Sequence, residues 1–500
     1  MSKPNILYVM CDQLRFDCIA ALGNKIIQTP NMDRLVRRGI SFVNAYSTCP
    51  VCAPARYTIR TGRETYNIGL YENEAPAPMD SLAADMQERC GTYLAKTMQG
   101  LGYRTFGAGK FHVGWDVYPQ LGYDTLIPTE EMWSNEEMRS KDGYIRFLRE
   151  KHPEFNHIEQ VHGERTEMYY MPQTSPFPPE ATVEGFVANE VVKLIEDPDR
   201  RPFFGFVSFV GPHPPCAPPI PYNRMYNPDN MPNPVSGDKA VDHMDEQITF
   251  MNRLIWADEI NDNQARTLKA RYYGEITYID DCLGKILDAV ERREDADNTI
   301  ICLMTDHGDH LGDHHAWQKE SFFEASCHIP YLLSWPKGGL SADTLNQELV
   351  CLTDLFAIAT SAAGALETRD GIDVLGMLNG KAAPRDYLCG FYGRPGTERF
   401  KMMLRHDKWK YIFMSNGGRE QLFDVVCDPN ELKPLQNKMP ELRAMLRKMA
   451  VNECKRPGLQ AALEGDDFKE FEYTQRPYMR IRQFDVSTNP GNDFTFGRVN

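Results

Sequence analysis

No stretch of the 500-residue sequence is apolar for long enough to cross a bilayer. Its first residues, Met1-Ser2-Lys3-Pro4, run straight into a short apolar segment, without the basic start, apolar middle and small-residue end of a secretory leader. As written, the chain reads as cytoplasmic and without a membrane partner. It reads as periplasmic or secreted if a leader has been removed. Positive charge is in short supply: 55 Lys and Arg face 70 Asp and Glu, a formal net charge of −15. This argues against nucleic acid as a partner, while an anionic substrate stays open because distant charge is screened. A disulfide pattern is also missing, since thirteen cysteines are an odd number scattered along a long chain. Cys49-Pro50-Val51-Cys52 is a lone CxxC with no second ligand pair close by, poor material for structural zinc.

What is present suits a folded α/β chain, with 42% hydrophobic and 25% charged residues. Apolar runs at Asn5–Met10, Thr105–Gly109, Phe203–Val210, Asn298–Met304 and Ile329–Trp335 predict buried strands of a mainly parallel sheet. Gly39–Phe42 predicts another strand. Helices are expected from Thr29-Pro30 onward, over 90–101, over 264–292 and over 352–364. Residues 115–182, with Trp115, Tyr118, Trp133, Tyr169 and Tyr170, read as an irregular insertion that walls a pocket or caps the sheet. Residues 216–263 read as a second insertion. Four short runs, Tyr387–Tyr392, Lys401–Arg405, Trp409–Met414 and Glu420–Asp424, predict a small antiparallel sheet. A helix over 439–454 follows, then a tail with Arg476, Arg480 and Arg482 that packs on the core or on another subunit. The expected division is 1–385 for the α/β domain and 386–500 for the C-terminal unit. A homo-oligomer stays open.

The chemistry gathers at turns. Cys52-Ala53-Pro54-Ala55-Arg56 predicts a cysteine at a helix N-terminus, where backbone N–H groups favour negative charge, with Arg56 one turn on. A buried, inert thiol is the plain alternative. Asp12-Gln13 ends the first strand and Asp306-His307 ends the one at 298–304, the positions where open α/β sheets gather ligands. Asp12 taken alone is better read as a turn or helix-cap aspartate. Lys110 and His112, two apart on an extended segment, point the same way. His213 sits in a proline-rich turn at a strand end, placed for acid–base or anion contact or simply packed by prolines. His310, His314 and His315 cluster before Lys319, an arrangement that also raises a second metal site.

Cys52-x-Pro54-x-Arg56 followed by Thr61-Gly62-Arg63 resembles the signature of the type I sulfatases, within the alkaline phosphatase superfamily. The resemblance covers most of residues 4–435 and is weakest in the two insertions. It implies an alkaline phosphatase-like fold: a large, mainly parallel sheet sandwiched by helices, with a small antiparallel C-terminal sheet. It implies that a formylglycine-generating maturation enzyme converts Cys52 to formylglycine. The hydrate of that aldehyde is a diol: one hydroxyl attacks sulfur and the other later expels sulfate. It assigns Asp12, Gln13, Asp306 and His307 to one Ca2+, with Mg2+ or Mn2+ as alternatives. It assigns Lys110, His213 and Lys319 to the sulfate oxygens, His112 to the diol and Arg56 to the nucleophile's support. The substrate is then a small-molecule or saccharide sulfate monoester. Ala55 and Gln13 depart from the usual family residues. Gln13 is shared with related phosphonate monoester hydrolases, which lack the Lys110-x-His112 pair, so phosphonate or phosphate diester hydrolysis is the alternative.

Overall fold

Asn5–Cys11 (β1) is buried along its whole length and forms the middle of an eight-stranded sheet. In this computed structural model, which describes residues 2–73, 86–114, 117–130, 136–155 and 170–477, the side chains of β1 alternate between two cores. Leu7, Val9 and Cys11 join one that includes the helix Asp262–Glu291, while Ile6, Tyr8 and Met10 join another on the opposite face. A strand feeding apolar residues to both faces must lie inside a sandwich.

The other strands of this sheet are β2 (Ile40–Tyr46), β3 (Arg104–Gly109), β4 (Thr125–Pro128), β5 (Phe203–Phe209), β6 (Thr299–Met304), β7 (Tyr331–Ser334) and β8 (Thr344–Cys351). Their order is β4-β3-β5-β1-β6-β7-β2-β8. All neighbours are parallel except those of β7, which runs antiparallel to both β6 and β2. The register sets Cys11 opposite Phe209 and Met10 opposite Met304. Asp12 and Thr305 therefore leave the sheet at the same edge, beside the end of β5.

Several expectations need correction. The insertion at 115–182 is not wholly irregular, because β4 lies within it and forms one edge of the sheet. Trp115, Trp133 and Tyr169 fall outside the described residues, as do Arg480 and Arg482. The helix expected over 90–101 is Leu94–Gly100. Gly91, at φ 83°, separates it from helical residues 86–90. β8 was not anticipated, since its outer half is mostly polar and partly exposed at an edge.

The four C-terminal runs pair as β9 (Tyr387–Tyr392), β10 (Lys401–His406), β11 (Trp409–Met414) and β12 (Arg419–Asp424), in the order β12-β11-β10-β9 and antiparallel throughout. The helix Pro440–Glu453 covers them. We propose that the two units meet near residue 385, just before β9. They share a core, in which Tyr46, Phe323 and Cys351 pack with Leu388, Met403 and Phe423. Buried Lys410 of β11 also reaches Glu324 Oε1 at 2.7 Å and Glu431 Oε1 at 2.6 Å. The tail as far as Pro477 lies on the same chain, with the Arg476 guanidinium 3.5 Å from the centre of the Phe250 ring. All thirteen cysteines are free thiols, and all but Cys427 are buried.

Glu64, just beyond the turn at Gly62, accepts from Thr48 Oγ1 at 2.8 Å. Burial, helped by Asp370, pushes its carboxyl up from 4.5 to about 8. A carboxyl that binds its proton more tightly when folded costs nothing below its unfolded pKa and destabilises progressively as pH rises toward the folded value. Glu64→Gln should therefore leave thermal stability nearly unchanged at about pH 4 and raise it at about pH 8, by about 2–4 kcal/mol. Equal effects at both pH values would contradict this protonation.

Candidate active site

After the helix α1 (Pro30–Arg38), the helix α2 (Cys52–Thr61) begins at the cysteine, and every one of its residues is buried. Pro54 falls in its first turn, and the Ala53 N–H donates to Asn73 Oδ1 at 3.0 Å. Gly62 closes α2 in the left-handed region, φ 63°, its N–H returning to the Thr58 carbonyl. A Cβ there would stand 2.7 Å from Phe356 Cβ, so both backbone and packing call for glycine.

Around the Cys52 thiol the far-apart strand ends converge. Sγ lies 3.1 Å from His307 Nε2, 3.2 Å from Lys319 Nζ and 3.9 Å from Asp12 Oδ1. Ligand atoms of Asp12, Cys52, Asp306 and His307 all lie within 4.8 Å of one another. The carboxylates at 12 and 306 thus face position 52. His307 Nδ1 is 3.0 Å from the Gly308 carbonyl oxygen, which fixes the ring and aims Nε2 at the cluster. Gln13 Oε1 accepts from Lys319 Nζ at 2.7 Å. Two carboxylates and an imidazole nitrogen this close to one another could hold a divalent cation.

Arg56 sits elsewhere than expected. Its guanidinium donates from Nε to Asp306 Oδ2 at 3.0 Å and from Nη2 to Asp12 Oδ2 at 2.8 Å, while Nη1 donates to the Lys110 carbonyl and Ser208 Oγ. It holds the carboxylates rather than the thiol, because a buried guanidinium needs ionised partners for its donors. Lys110 Nζ donates to the same Asp12 Oδ2 at 2.5 Å. Gly109 precedes it at φ 103°, where a Cβ would collide with the Ser208 carbonyl oxygen.

His112 corrects the extended-segment argument. Its φ is 57°, so the chain turns at that residue, and its N–H donates to Glu130 Oε1 at 2.7 Å. Nδ1 is buried without a partner among the described residues. Burial and the Lys110 ammonium push its pKa down to about 3, so the ring is neutral with an acceptor to offer. His213 is buried, with Nδ1 2.8 Å from the Pro214 carbonyl oxygen. His310, His314 and His315 do not join the metal-type group: His310 Nε2 contacts Ser321 Oγ, His314 Nδ1 contacts Asp242 Oδ1 and His315 Nε2 contacts the Gly237 carbonyl.

The local field is positive despite the acidic chain. Burial opposes ionisation of Asp12, yet Lys110, Arg56, His213 and Lys319 hold it well below the usual carboxylate range. Burial and Asp12 push the Cys52 thiol up, but Lys319, Lys110 and His307 outweigh them and hold it below its ordinary value. The buried thiols of Cys11, Cys49, Cys302 and Cys327 are all pushed up. Sequence reasoning missed Ser208, Glu130, Asp309 and the use made of Tyr170. For Asp309 a signal existed, a carboxylate three residues after Asp306.

A family profile described as Sulfatase matches residues 4–365. The chain is 29% identical over 473 residues to an arylsulfatase of Clostridium perfringens, covering 90% of this chain and 94% of that one. It is 28% identical over 453 residues to a choline-sulfatase of Rhizobium meliloti, covering 87% and 82%. A phosphonate monoester hydrolase of Agrobacterium radiobacter shares the fold, with a TM-score of 0.74 at 23% identity over 90% of this chain and 95% of that one.

In metal-free protein with an unconverted cysteine, Lys319→Met should raise the Cys52 thiol pKa by about one unit or more, since a cation in contact is lost. Alkylation of Cys52 by iodoacetamide at neutral pH, followed by peptide mass analysis, should then slow about tenfold. An unchanged rate would show that Lys319 does not set the thiol's charge.

Proposed function

The chain belongs to the sulfatase family of sulfuric ester hydrolases, and on that premise we propose that it cleaves an organic sulfate monoester with a formylglycine nucleophile derived from Cys52. The observation that carries this reading is the position of the Cys52 side chain, between Lys319 and the Asp12–Asp306–His307 group. A nucleophile there has cations on one side and a hard-ion site on the other, an arrangement that stabilises charge building on an ester's oxygens. Asp12, Gln13, Asp306 and His307 would hold the cation, which we take to be Ca2+. When bound, such an ion neutralises ester oxygens and lowers the pKa of an attached hydroxyl.

The chain's own residues then have separable tasks. Lys319 and Lys110 present ammonium groups to the anion's oxygens. Arg56 keeps both carboxylates ionised and oriented. His112, neutral at working pH, offers an acceptor lone pair for a hydroxyl proton. His213 donates toward the departing oxygen. The family's maturation chemistry would act on Cys52. For the ester's carrier we favour a sulfated carbohydrate or an aryl sulfate, the latter in keeping with the likeness to an arylsulfatase.

Cys52→Ala should abolish turnover of an aryl sulfate while leaving the thermal transition in place, and the native peptide bearing residue 52 should weigh less than its unconverted form. Full activity in the alanine variant would remove Cys52 as nucleophile. One observation favours a second reading: Gln13 stands where the family usually has an aspartate and is shared with phosphonate monoester hydrolases, whose esters carry the same single negative charge as a sulfate monoester. Paired kcat/KM values on aryl sulfate and aryl phosphonate monoesters separate the two. We expect the sulfate to be preferred, and a reversed ratio selects the second reading.

A further inference from the structure

An amide has one end that accepts and one that only donates, so its use beside a cation depends on which end faces inward. In Gln13 the two ends have different fixed partners. Oε1 accepts from Lys319 Nζ, which also contacts the Cys52 thiol. Nε2 donates to Asp309 Oδ2 at 2.6 Å and to Tyr170 Oη at 3.2 Å. An ammonium cannot accept and a carboxylate cannot donate, so a flipped amide would lose both contacts. The rest of Gln13 is already held: its N–H donates to Asp306 Oδ1 and its carbonyl accepts from Tyr272 Oη.

Asp309 is itself braced. Tyr170 Oη donates to Oδ2 at 2.6 Å, the Leu311 N–H donates to Oδ1 at 2.7 Å, and Arg15 Nη1 donates to the carbonyls of Asp309 and His310. Gln13, Tyr170 and Asp309 are all buried. Asp309 shares no ligand atom with the Asp12–Cys52–Asp306–His307 group. It stands behind the amide.

We propose that Asp309, braced by Tyr170, is a positioning residue that keeps Gln13 Oε1 turned toward the Cys52 cluster and confines position 13 to a neutral side chain. The inference rests on the reading of that cluster as a divalent-cation site. A glutamate at 13 would bring one carboxylate against another in a dry environment, where both do not ionise readily. The amide supplies an oxygen to the cluster without that conflict.

Calorimetric titration of the chelator-stripped full chain with calcium reads this directly, without turnover. Wild type should bind calcium. Asp309→Ala should weaken binding about 10–100-fold, as for other supporting partners of metal ligands. Asp309→Asn, which keeps an oxygen acceptor, should stay within a few fold of wild type. Gln13→Glu should weaken binding in the wild-type background but recover affinity when combined with Asp309→Asn, a non-additivity that general damage would not produce. If Asp309→Ala does not fold, Tyr170→Phe keeps the ring beside Trp317 and should give a smaller loss in the same direction. Wild-type affinity in Asp309→Ala, or equal effects of Gln13→Glu in both backgrounds, overturns the positioning role alone. A wild-type chain that binds no divalent cation overturns the cation-site reading and this inference with it.

Discussion

A guanidinium without water around it is among the more expensive groups to bury, and Arg56 is fully enclosed. Its position is tolerable because two carboxylates from the ends of neighbouring strands, Asp12 after β1 and Asp306 after β6, meet it from two sides. The dependence is mutual. Two buried carboxylates this close would repel, and Arg56 lets both stay ionised. Because Arg56 rides on α2 one turn after Cys52, the same contact pins the start of that helix to the sheet. Oδ2 of Asp12 is taken up by Arg56 and Lys110, so Oδ1 is the oxygen left to face Cys52.

From this clamp follows the contrast between the whole chain and its cavity. The whole chain carries a formal net charge of −15, whereas the cluster around Cys52 sets Lys319, Lys110 and Arg56 against two carboxylates. Screening separates the two scales. An anionic ester would therefore meet an attractive field only at close range, where the fixed ammonium groups need no reorganisation to receive it.

Much of this arrangement was legible because the buried strands carry it. The runs that became β1, β5 and β6 are apolar on both faces and end in polar residues, and those ends hold Asp12, His213 and Asp306. The C-terminal sheet was equally plain, since its short, largely apolar runs are separated by turn residues. The edges were not. β4 is four residues long and ends in proline, and β8 is half exposed, so neither produces an apolar run. The apolar run at 329–335 announces β7, but nothing local marks its antiparallel direction. At the site, residue types were readable but their bonding was not: Arg56 holds carboxylates instead of the thiol, and His112 lies at a turn that its spacing from Lys110 conceals. Asp309 was invisible as a partner of Gln13 because 296 positions separate them.

Lys410 carries a consequence for chain length. It projects from β11 into the interior and meets Glu324, a few positions beyond Lys319, together with Glu431. A shortened relative that ended before β9 would keep the glutamate and lose Lys410, leaving it to His328 Nδ1 at 2.8 Å. Breaking a buried pair by removing one partner costs about 3–5 kcal/mol, next to the segment that delivers Lys319. The C-terminal sheet is thus not an ornament that descent could discard, and shortening this protein would require replacing Glu324 at the same time.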